Sequence, residues 1–314
     1  MSRMAYLFPG QGSQKVGMGR AFCVDFPEAR RLYQEADEIL GTGLSSLCFD
    51  GPAEALMDTV NAQPALFVTS LAMWAAARAQ GAPEPACVAG HSLGHITALV
   101  AAGAVDFAPA LRLVRARGQA MKAAAAGSRG GMAAVIQLER ERLAEVCERA
   151  GREAGGCVGI ANDNAPGQIV ISGEERALNA AMRLAKESGA RRIIPLAVSV
   201  ASHSPLMAGA AEALAPALEE IEIRPPRVPV LSNVTARPLE GVDDVRRDIV
   251  QQLTRPVRWT DSIQHIVSAG VGVFVEIGPG NVLTGLVRRI APAAEAWSLD
   301  DDNGLERLLA ASRL

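Results

Sequence analysis

A serine lies between two glycines where a short apolar run of the chain ends and a longer one begins, in CVAGHSLGHITALVAAGAV over residues 87–105. The first run predicts a buried strand, and the second predicts a helix that is buried on most sides. A strand that enters a helix through so tight a turn needs small residues beside the turn. The stretch therefore favours an α/β fold, in which Ser92 is either part of an ordinary turn or a nucleophile on a strand-to-helix elbow.

The same alternation of strands and helices recurs along the chain. Apolar runs that predict strands are MAYLF at residues 4–8, RVPVLSNVT at 227–235 and VGVFVE at 271–276. The helices predicted around them cover residues 61–81, a stretch that follows Asp106 as its N-cap, and residues 205–220, 243–254 and 281–290. Because parallel strands need such crossover helices, we predict an α/β fold whose parallel sheet is covered on both faces.

The middle of the chain has a different order of elements. After the glycine-rich stretch GSRGG at residues 127–131, the sequence predicts strand, helix, strand, strand, helix and strand, ending with RRIIPLAV at 191–198. This order is that of a ferredoxin-like unit. We therefore predict that residues 130–198 form a small subdomain inserted into a larger one, which consists of residues 1–129 and 199–314.

Composition excludes several classes of function. The formal net charge of −3 gives no reason to expect a nucleic-acid partner. Five cysteines, an odd number without a Cys-x-x-Cys pair, argue against a disulfide framework and against a structural zinc site. The apolar runs are too short for a signal peptide or for a membrane span of about 18 residues. We expect a soluble cytoplasmic protein without a metal, nucleic-acid or membrane partner.

A serine hydroxyl needs a nearby base to become nucleophilic at neutral pH, and the chain has four histidines. His203 lies between a predicted strand and a predicted helix, where the loops of an α/β sheet face a cleft. His95 shares a helical face with Ser92, whereas His91 is expected to point away from that serine. Each of these histidines, like His265, can also be an ordinary surface or core residue. The pattern alone leaves the identity of the base open.

Arg117 is the one arginine on the apolar face of its predicted helix. The other polar residues of that helix share the opposite face: Arg112, Arg115, Gln119 and Lys122. An unpaired buried guanidinium costs several kcal/mol. Arg117 is therefore expected to pair with a carboxylate of the protein or to bind an anionic ligand, and its planar fork fits a carboxylate.

The loop FPGQGSQ at residues 8–14 directly follows the first predicted strand. Its glycines allow a close approach of the backbone, and Gln11 could offer an N–H group beside the carboxyl edge of the sheet. A flexible loop without a role explains the stretch equally well.

Taken together, these stretches resemble the malonyl-CoA:acyl carrier protein transacylases, the acyltransferases of fatty acid and polyketide synthesis. The order and spacing of the shared motifs is specific and spans nearly the whole chain: FPGQGSQ at 8–14, GHSLG at 90–94, RLVRARG with Arg117, NAPGQIVISG at 164–173, SHSPLM at 202–207, LSNVTA at 231–236, QLTRPVRW at 252–259 and EIGPG at 276–280. The resemblance implies an α/β-hydrolase-like larger subdomain with a ferredoxin-like insert.

The resemblance also implies roles for individual residues. Ser92 would carry the acyl group as an ester, and His203 would act as general base and then as general acid. The backbone N–H groups of Gln11 and Leu93 would bind the oxyanion, and Arg117 would hold the free carboxylate of malonate. A backbone carbonyl near Gln252 would orient the histidine, and the insert would line the cleft with two asparagines, Asn162 and Asn164. Malonyl-CoA would be a substrate, acyl carrier protein a partner, and no cofactor would be needed.

The chain departs from the resembled family at one position. The family usually has Glu or Gln directly after the second glycine of the elbow, and this chain has His95. The residues before the proposed base, Val200 to Ser202, match neither of the two tetrapeptides associated with malonyl or methylmalonyl selection, so the acyl preference is open. Three alternative functions use the same features: an acyl hydrolase that clears carrier proteins, the acyltransferase subunit of a malonate decarboxylase, and a non-catalytic carrier-docking subunit.

Overall fold

The computed structural model describes residues 3–127, 130–196, 198 and 200–311. Its strands form two separate sheets. The strands are β1 (Arg3–Phe8), β2 (Cys87–Gly90), β3 (Gly130–Ile136), β4 (Val158–Ala165), β5 (Gln168–Glu174), β6 (Arg192–Pro195), β7 (Val271–Glu276) and β8 (Glu295–Ser298).

The helices connect and cover these strands. They are α1 (Arg20–Asp25), α2 (Pro27–Leu40), α3 (Leu44–Asp50), α4 (Ala53–Met57), α5 (Thr59–Ala79), α6 (Leu93–Ala101), α7 (Phe107–Ala126), α8 (Arg140–Ala154), α9 (Glu175–Glu187), α10 (Ala208–Glu219), α11 (Val242–Gln251), α12 (Trp259–Ser268), α13 (Val282–Ile290) and α14 (Gly304–Ala311). Within the described residues, none of them combines the length and the apolar character needed to cross a membrane.

The first sheet is parallel throughout and has the order β2-β1-β7-β8. Successive side chains of its central strand β1 enter two different cores, as the period of two in a strand requires. Tyr6 and Phe8 pack with residues of α5, α6 and α7. Ala5 and Leu7 pack on the other face with residues of α12 and α13. The predicted parallel sheet with helices on both faces is confirmed.

The second sheet is antiparallel and has the order β4-β5-β3-β6. All of its strands lie between residues 130 and 195, and they follow the predicted order of strands and helices. One face packs against α8 and α9, where Val135 and Ile171 meet Leu143 and Leu184. The predicted subdomain boundaries adjoin residues 128, 129, 197 and 199, which lie outside the described residues, as does part of the GSRGG stretch. Those boundaries stay a prediction.

Two local predictions are wrong. Residues 227–235 do not form a regular strand of the sheet and make two isolated bridges instead, Val230 with Val88 of β2 and Leu231 with Pro238. The chain turns directly afterwards, because the Ser232 hydroxyl accepts hydrogen bonds from the backbone N–H groups of the two residues beyond Asn233. Asp106 takes the predicted N-cap position of α7, but the predicted capping hydrogen bond is absent, and its carboxylate pairs with Arg224 instead. The helix predicted from residue 205 begins with a 3₁₀ turn before α10.

Candidate active site

Ser92 lies on the sharp turn between β2 and α6. Its φ and ψ angles are 52° and −109°. Residues other than glycine rarely adopt this backbone conformation, and where they do it is often at a functional turn. The two flanking glycines are required by space, since a Cβ at Gly90 would overlap the backbone of Gly94, and a Cβ at Gly94 would overlap the backbone of Phe8. The turn is therefore a strained elbow that holds the serine hydroxyl at the carboxyl edge of the parallel sheet.

The structure brings His203 to this hydroxyl from a segment 111 residues away in the chain. The Ser92 Oγ atom lies 2.9 Å from His203 Nε2, and His203 Nδ1 lies 2.7 Å from the backbone carbonyl oxygen of Gln252. A carbonyl can only accept, so Nδ1 carries the proton and donates it, which leaves the lone pair of Nε2 facing the serine. Within the described residues, this arrangement orients the imidazole without a carboxylate.

The electrostatic surroundings keep His203 unprotonated. Its side chain is 5% exposed. Burial is the largest cause that lowers the pKa of this imidazole, the Arg117 charge lowers it further, and together they bring it to about 3. At neutral pH, His203 is therefore a free base next to a hydroxyl.

Arg117 lies beside the same hydroxyl and is 2% exposed. Its guanidinium donates to the side-chain oxygens of Gln63 at 2.6 Å and Gln252 at 2.9 Å, and to Ser92 Oγ at 3.2 Å. Burial lowers its pKa to about 10, so it stays charged at neutral pH. In the part of the chain that the structure describes, no carboxylate pairs with it. The alternative of an internal ion pair is thus not realised, and the charge is left for an anionic ligand.

Two backbone N–H groups lie at the same cavity. Gln11 and Leu93 both line it, and neither backbone N–H has an acceptor among the residues that the structure describes. Leu93 is the first residue of α6, where the unpaired N–H groups and the helix dipole favour negative charge. The side chain of Gln11 accepts a hydrogen bond from Thr59 at 2.8 Å, which fixes the loop over the elbow. This pair can receive a developing oxyanion.

The cavity next to Ser92 has a volume of about 200 Å³. Asn162 and Asn164 of β4 line it, and Asn164 Oδ1 lies 2.8 Å from Nε2 of His91, which also lines the cavity. The expectation that His91 points away from the site is therefore wrong. The rest of the wall is mostly apolar, with Met121, Met132, Val170, Leu196, Val198 and Val200. In the described ranges, no group of three or more His, Cys, Asp or Glu residues is placed to hold a metal ion.

Comparison with known proteins agrees with this geometry. A family model described as "Acyl transferase domain" matches residues 5–297. The chain is 46% identical over 306 residues to the malonyl CoA-acyl carrier protein transacylase of Bacillus subtilis (strain 168), covering 98% of this chain and 96% of that protein. The chain belongs to the malonyl CoA-acyl carrier protein transacylase family.

Solved structures of the transacylase family have the same fold. An acyl carrier protein S-malonyltransferase from Vibrio cholerae superposes with a TM-score of 0.94 at 42% identity, over 98% of this chain and all of that one. A malonyl-transacylase solved in complex with its type II PKS acyl-carrier protein superposes with a TM-score of 0.95 at 42% identity, over 99% and 100% of the two chains.

Two residues at this transacylase site were not singled out from the sequence. Gln63 is fully buried in α5, accepts from Arg117 and donates to Thr59 at 3.0 Å. Asn233 accepts from the backbone N–H of Ser92 at 2.9 Å and donates to the carbonyl of Gly90 at 2.7 Å, so its side chain braces both sides of the elbow. The available signal for Gln63 was a polar residue within a mostly apolar helix.

Proposed function

We propose that this protein transfers a malonyl group from coenzyme A to the phosphopantetheine thiol of an acyl carrier protein, through an ester on Ser92. The observation that carries the proposal is Arg117, a buried cation whose partners among the described residues are all neutral, 3.2 Å from the hydroxyl that the adjacent base activates. A carboxylate at one end of the acyl group complements this cation while the thioester carbonyl lies at the serine. The near-full-length relatives named as malonyl CoA-acyl carrier protein transacylases support the same substrate and the same carrier.

In the first half-reaction, Ser92 Oγ attacks the thioester carbonyl carbon while its proton moves to His203 Nε2. The resulting oxyanion is received by the backbone N–H groups of Gln11 and Leu93. The carbon–sulfur bond then breaks, and the imidazolium returns the proton to the departing coenzyme A thiolate. The products are free coenzyme A and malonyl-Ser92.

In the second half-reaction, the thiol of the carrier's phosphopantetheine arm gives its proton to His203 and attacks the ester carbonyl. The ester carbon–oxygen bond breaks, and the proton passes to Ser92 Oγ. Both carriers present the same arm, so one cleft can serve both halves in a ping-pong cycle. Transfer must outcompete hydrolysis, and the mostly apolar wall of the cavity limits water around the ester.

The remaining assignments belong to the same proposal. Residues 1–129 and 199–314 would form an α/β-hydrolase-like subdomain, and residues 130–198 a ferredoxin-like insert, which the strand order β4-β5-β3-β6 supports. Asn162 and Asn164 would contact the acyl group from the insert side of the cleft. The protein would work in the cytoplasm, with malonyl-CoA as a substrate and without a bound cofactor.

Parallel incubation with malonyl-CoA, methylmalonyl-CoA and acetyl-CoA tests the proposal. Intact-mass measurement should show a malonyl adduct on the protein, and addition of a carrier protein bearing its phosphopantetheine arm should move that adduct to the carrier. Heat-denatured enzyme is the blank, and a carrier without the arm is the matched control for transfer. Release of free malonate with no malonyl-carrier would contradict the proposal and favour the hydrolase alternative.

The acylation rate should depend on pH in a way set by the low pKa of His203. Because burial and the Arg117 charge lower this pKa to about 3, the base is unprotonated at every pH above roughly 5. We expect kcat/KM for acylation by malonyl-CoA to stay level from about pH 5 to pH 8. A stopped-flow or quench-flow pH series measures this, and an acidic fall centred near 6.5, the ordinary value for histidine, would contradict the assignment.

A further inference from the structure

A contact between a histidine and a carboxylate lies directly behind the active site. His95, in the first turn of α6, is completely buried, and its Nε2 atom lies 3.0 Å from Oδ2 of Asp248 in α11, which is 5% exposed. The ring N–H is not well aligned with that oxygen, but neither atom has another hydrogen-bond partner in the described part of the chain. Each of these two atoms, His95 Nε2 and Asp248 Oδ2, therefore has the other as its polar neighbour. The proposed chemistry uses neither residue.

Asp248 is held as an anion by more than this histidine. Its other oxygen, Oδ1, accepts a hydrogen bond from the hydroxyl of Ser232, which is also fully buried. Burial alone would raise the pKa of Asp248, yet the adjacent His95 ring and the hydrogen bond from Ser232 outweigh burial and bring it below its ordinary value. A buried carboxylate with two donors is costly to disturb, because removing one donor leaves a charge without compensation.

The tautomer of His95 follows from its surroundings. Nδ1 of His95 has no partner in the described ranges. An N–H group at that position would be a buried donor without an acceptor, which costs about 1–3 kcal/mol. The arrangement with the lowest cost places the proton on Nε2, toward Asp248, and leaves a lone pair on Nδ1.

The contact joins the helix that begins at the nucleophile, α6, to the helix that leads to the residue orienting the base, α11. His95 lies three residues after Ser92, in the helix that begins at the elbow. Asp248 lies one turn before Gln252, whose backbone N–H donates to the Asp248 carbonyl at 2.9 Å. Gln252 in turn orients His203 through its own carbonyl. A shift of α11 relative to α6 would therefore change the distance between nucleophile and base.

The Asp248 carboxylate also holds the turn that carries Asn233, the residue whose side chain binds both sides of the elbow. Ser232, which donates to Asp248, directly precedes Asn233, and the Asn233 side chain accepts from the Ser92 backbone and donates to Gly90. Three segments distant in sequence, namely α6, α11 and the turn at 232–235, thus meet at Asp248.

We propose that His95 and Asp248 are a positioning pair, which holds α6 against α11 and thereby sets the alignment of Ser92 with His203. The proposal rests on the acyl-serine chemistry proposed above. Neither side chain lines the cavity, so the pair acts on the rate of acylation and not on substrate binding.

Introduction of a negative charge at position 95 tests the pair. His95→Glu places a second carboxylate opposite Asp248, and the two repel or force one of them to bind a proton. We expect kcat for acylation by malonyl-CoA to fall about 100-fold with KM unchanged, because small displacements of reacting groups have effects of this size. Adding Asp248→Asn supplies an amide N–H to the new carboxylate and should restore the rate to within about tenfold of wild type. His95→Gln, which keeps a donor, should retain most of the rate.

Matched controls separate positioning from general destabilisation. Tyr33→Phe removes another buried hydrogen bond, between the Tyr33 and Thr69 hydroxyls at 2.7 Å, outside the cavity wall. It should lower the urea midpoint without changing kcat. If His95→Glu does not fold, Asp248→Ala is the second variant, and it should lower kcat about 30-fold at unchanged KM because both donors lose their acceptor.

Three results would overturn the positioning pair: an unchanged kcat in folded His95→Glu or Asp248→Ala, a loss confined to KM, or a loss in His95→Glu that Asp248→Asn does not repair. Sulfonylation of Ser92 by phenylmethylsulfonyl fluoride is measured on the same proteins, since this reaction needs the aligned dyad but neither malonate nor a carrier. A wild-type protein that reacts with the fluoride but forms no malonyl adduct contradicts the proposed function. The sulfonylation rates of the variants still decide the role of the pair.

Discussion

Ser92→Ala is expected to abolish the covalent malonyl-enzyme and to lower malonyl transfer at least about 1,000-fold, because it removes the hydroxyl that His203 activates. The substitution removes one oxygen and keeps a Cβ at the strained turn, so the elbow carries the same backbone conformation. Intact-mass measurement after incubation with malonyl-CoA checks the adduct, and a coupled assay with the carrier checks transfer.

Ser70→Ala is the matched control for this experiment. Ser70 is a fully buried serine whose hydroxyl has no hydrogen-bond partner among the described residues, and it does not line the cavity. Its replacement should leave both the adduct and the transfer rate close to those of the wild type. A malonyl adduct that survives in Ser92→Ala would disprove the nucleophile assignment.

Arg117→Ala is expected to lower acylation by malonyl-CoA about 1,000-fold while acylation by acetyl-CoA changes less than about tenfold. Two hydrogen bonds from a guanidinium to a carboxylate contribute about 1.5–3 kcal/mol each. An acetyl group has no carboxylate, so it makes no such bonds and loses none when Arg117 is replaced. The ratio of the two rates is therefore the informative quantity. Quench-flow measurement of adduct formation with each thioester gives this ratio directly.

Arg115→Ala provides the control for Arg117, since Arg115 belongs to the same helix but donates to Val60 and Asn61, away from Ser92. It should not change the malonyl-to-acetyl ratio. Arg117→Lys keeps the charge without the planar fork and should recover only part of the malonyl rate. Equal losses with both thioesters in Arg117→Ala would contradict the role as carboxylate binder.

Local patterns predicted the parts of the protein that depend on local physics. The glycines around Ser92 indicated a tight strand-to-helix turn, and both are required by the space between β2, α6 and β1. The helical spacing placed Arg117 among apolar residues, and its side chain is buried. Period-two and period-3.6 patterns predicted both sheets, since each pattern reflects which side of an element is buried.

Pairings between distant segments could not be predicted in this way. The polar contacts at the site join residues that are 54 to 153 positions apart in the chain, among them those of Gln63 with Arg117, Asn233 with Ser92, and His95 with Asp248. No periodicity in the sequence specifies which buried polar groups meet. Residues 227–235 were predicted as a strand because their apolar half resembles one. The structure ends that segment early, since the Ser232 hydroxyl stabilises a turn that delivers Asn233 to the elbow.

The cleft lies between two sheets, of which one side supplies the reacting groups and the other supplies apolar wall residues. Nucleophile, cation and oxyanion donors come from elements around the parallel sheet, whereas Met132, Val170 and Leu196 come from the antiparallel sheet or the residue that follows it. Substitutions on the second side can therefore reshape the room for the acyl chain while the reacting atoms keep their places. Selection for a bulkier or a smaller acyl group can proceed on this wall independently of the chemistry across from it.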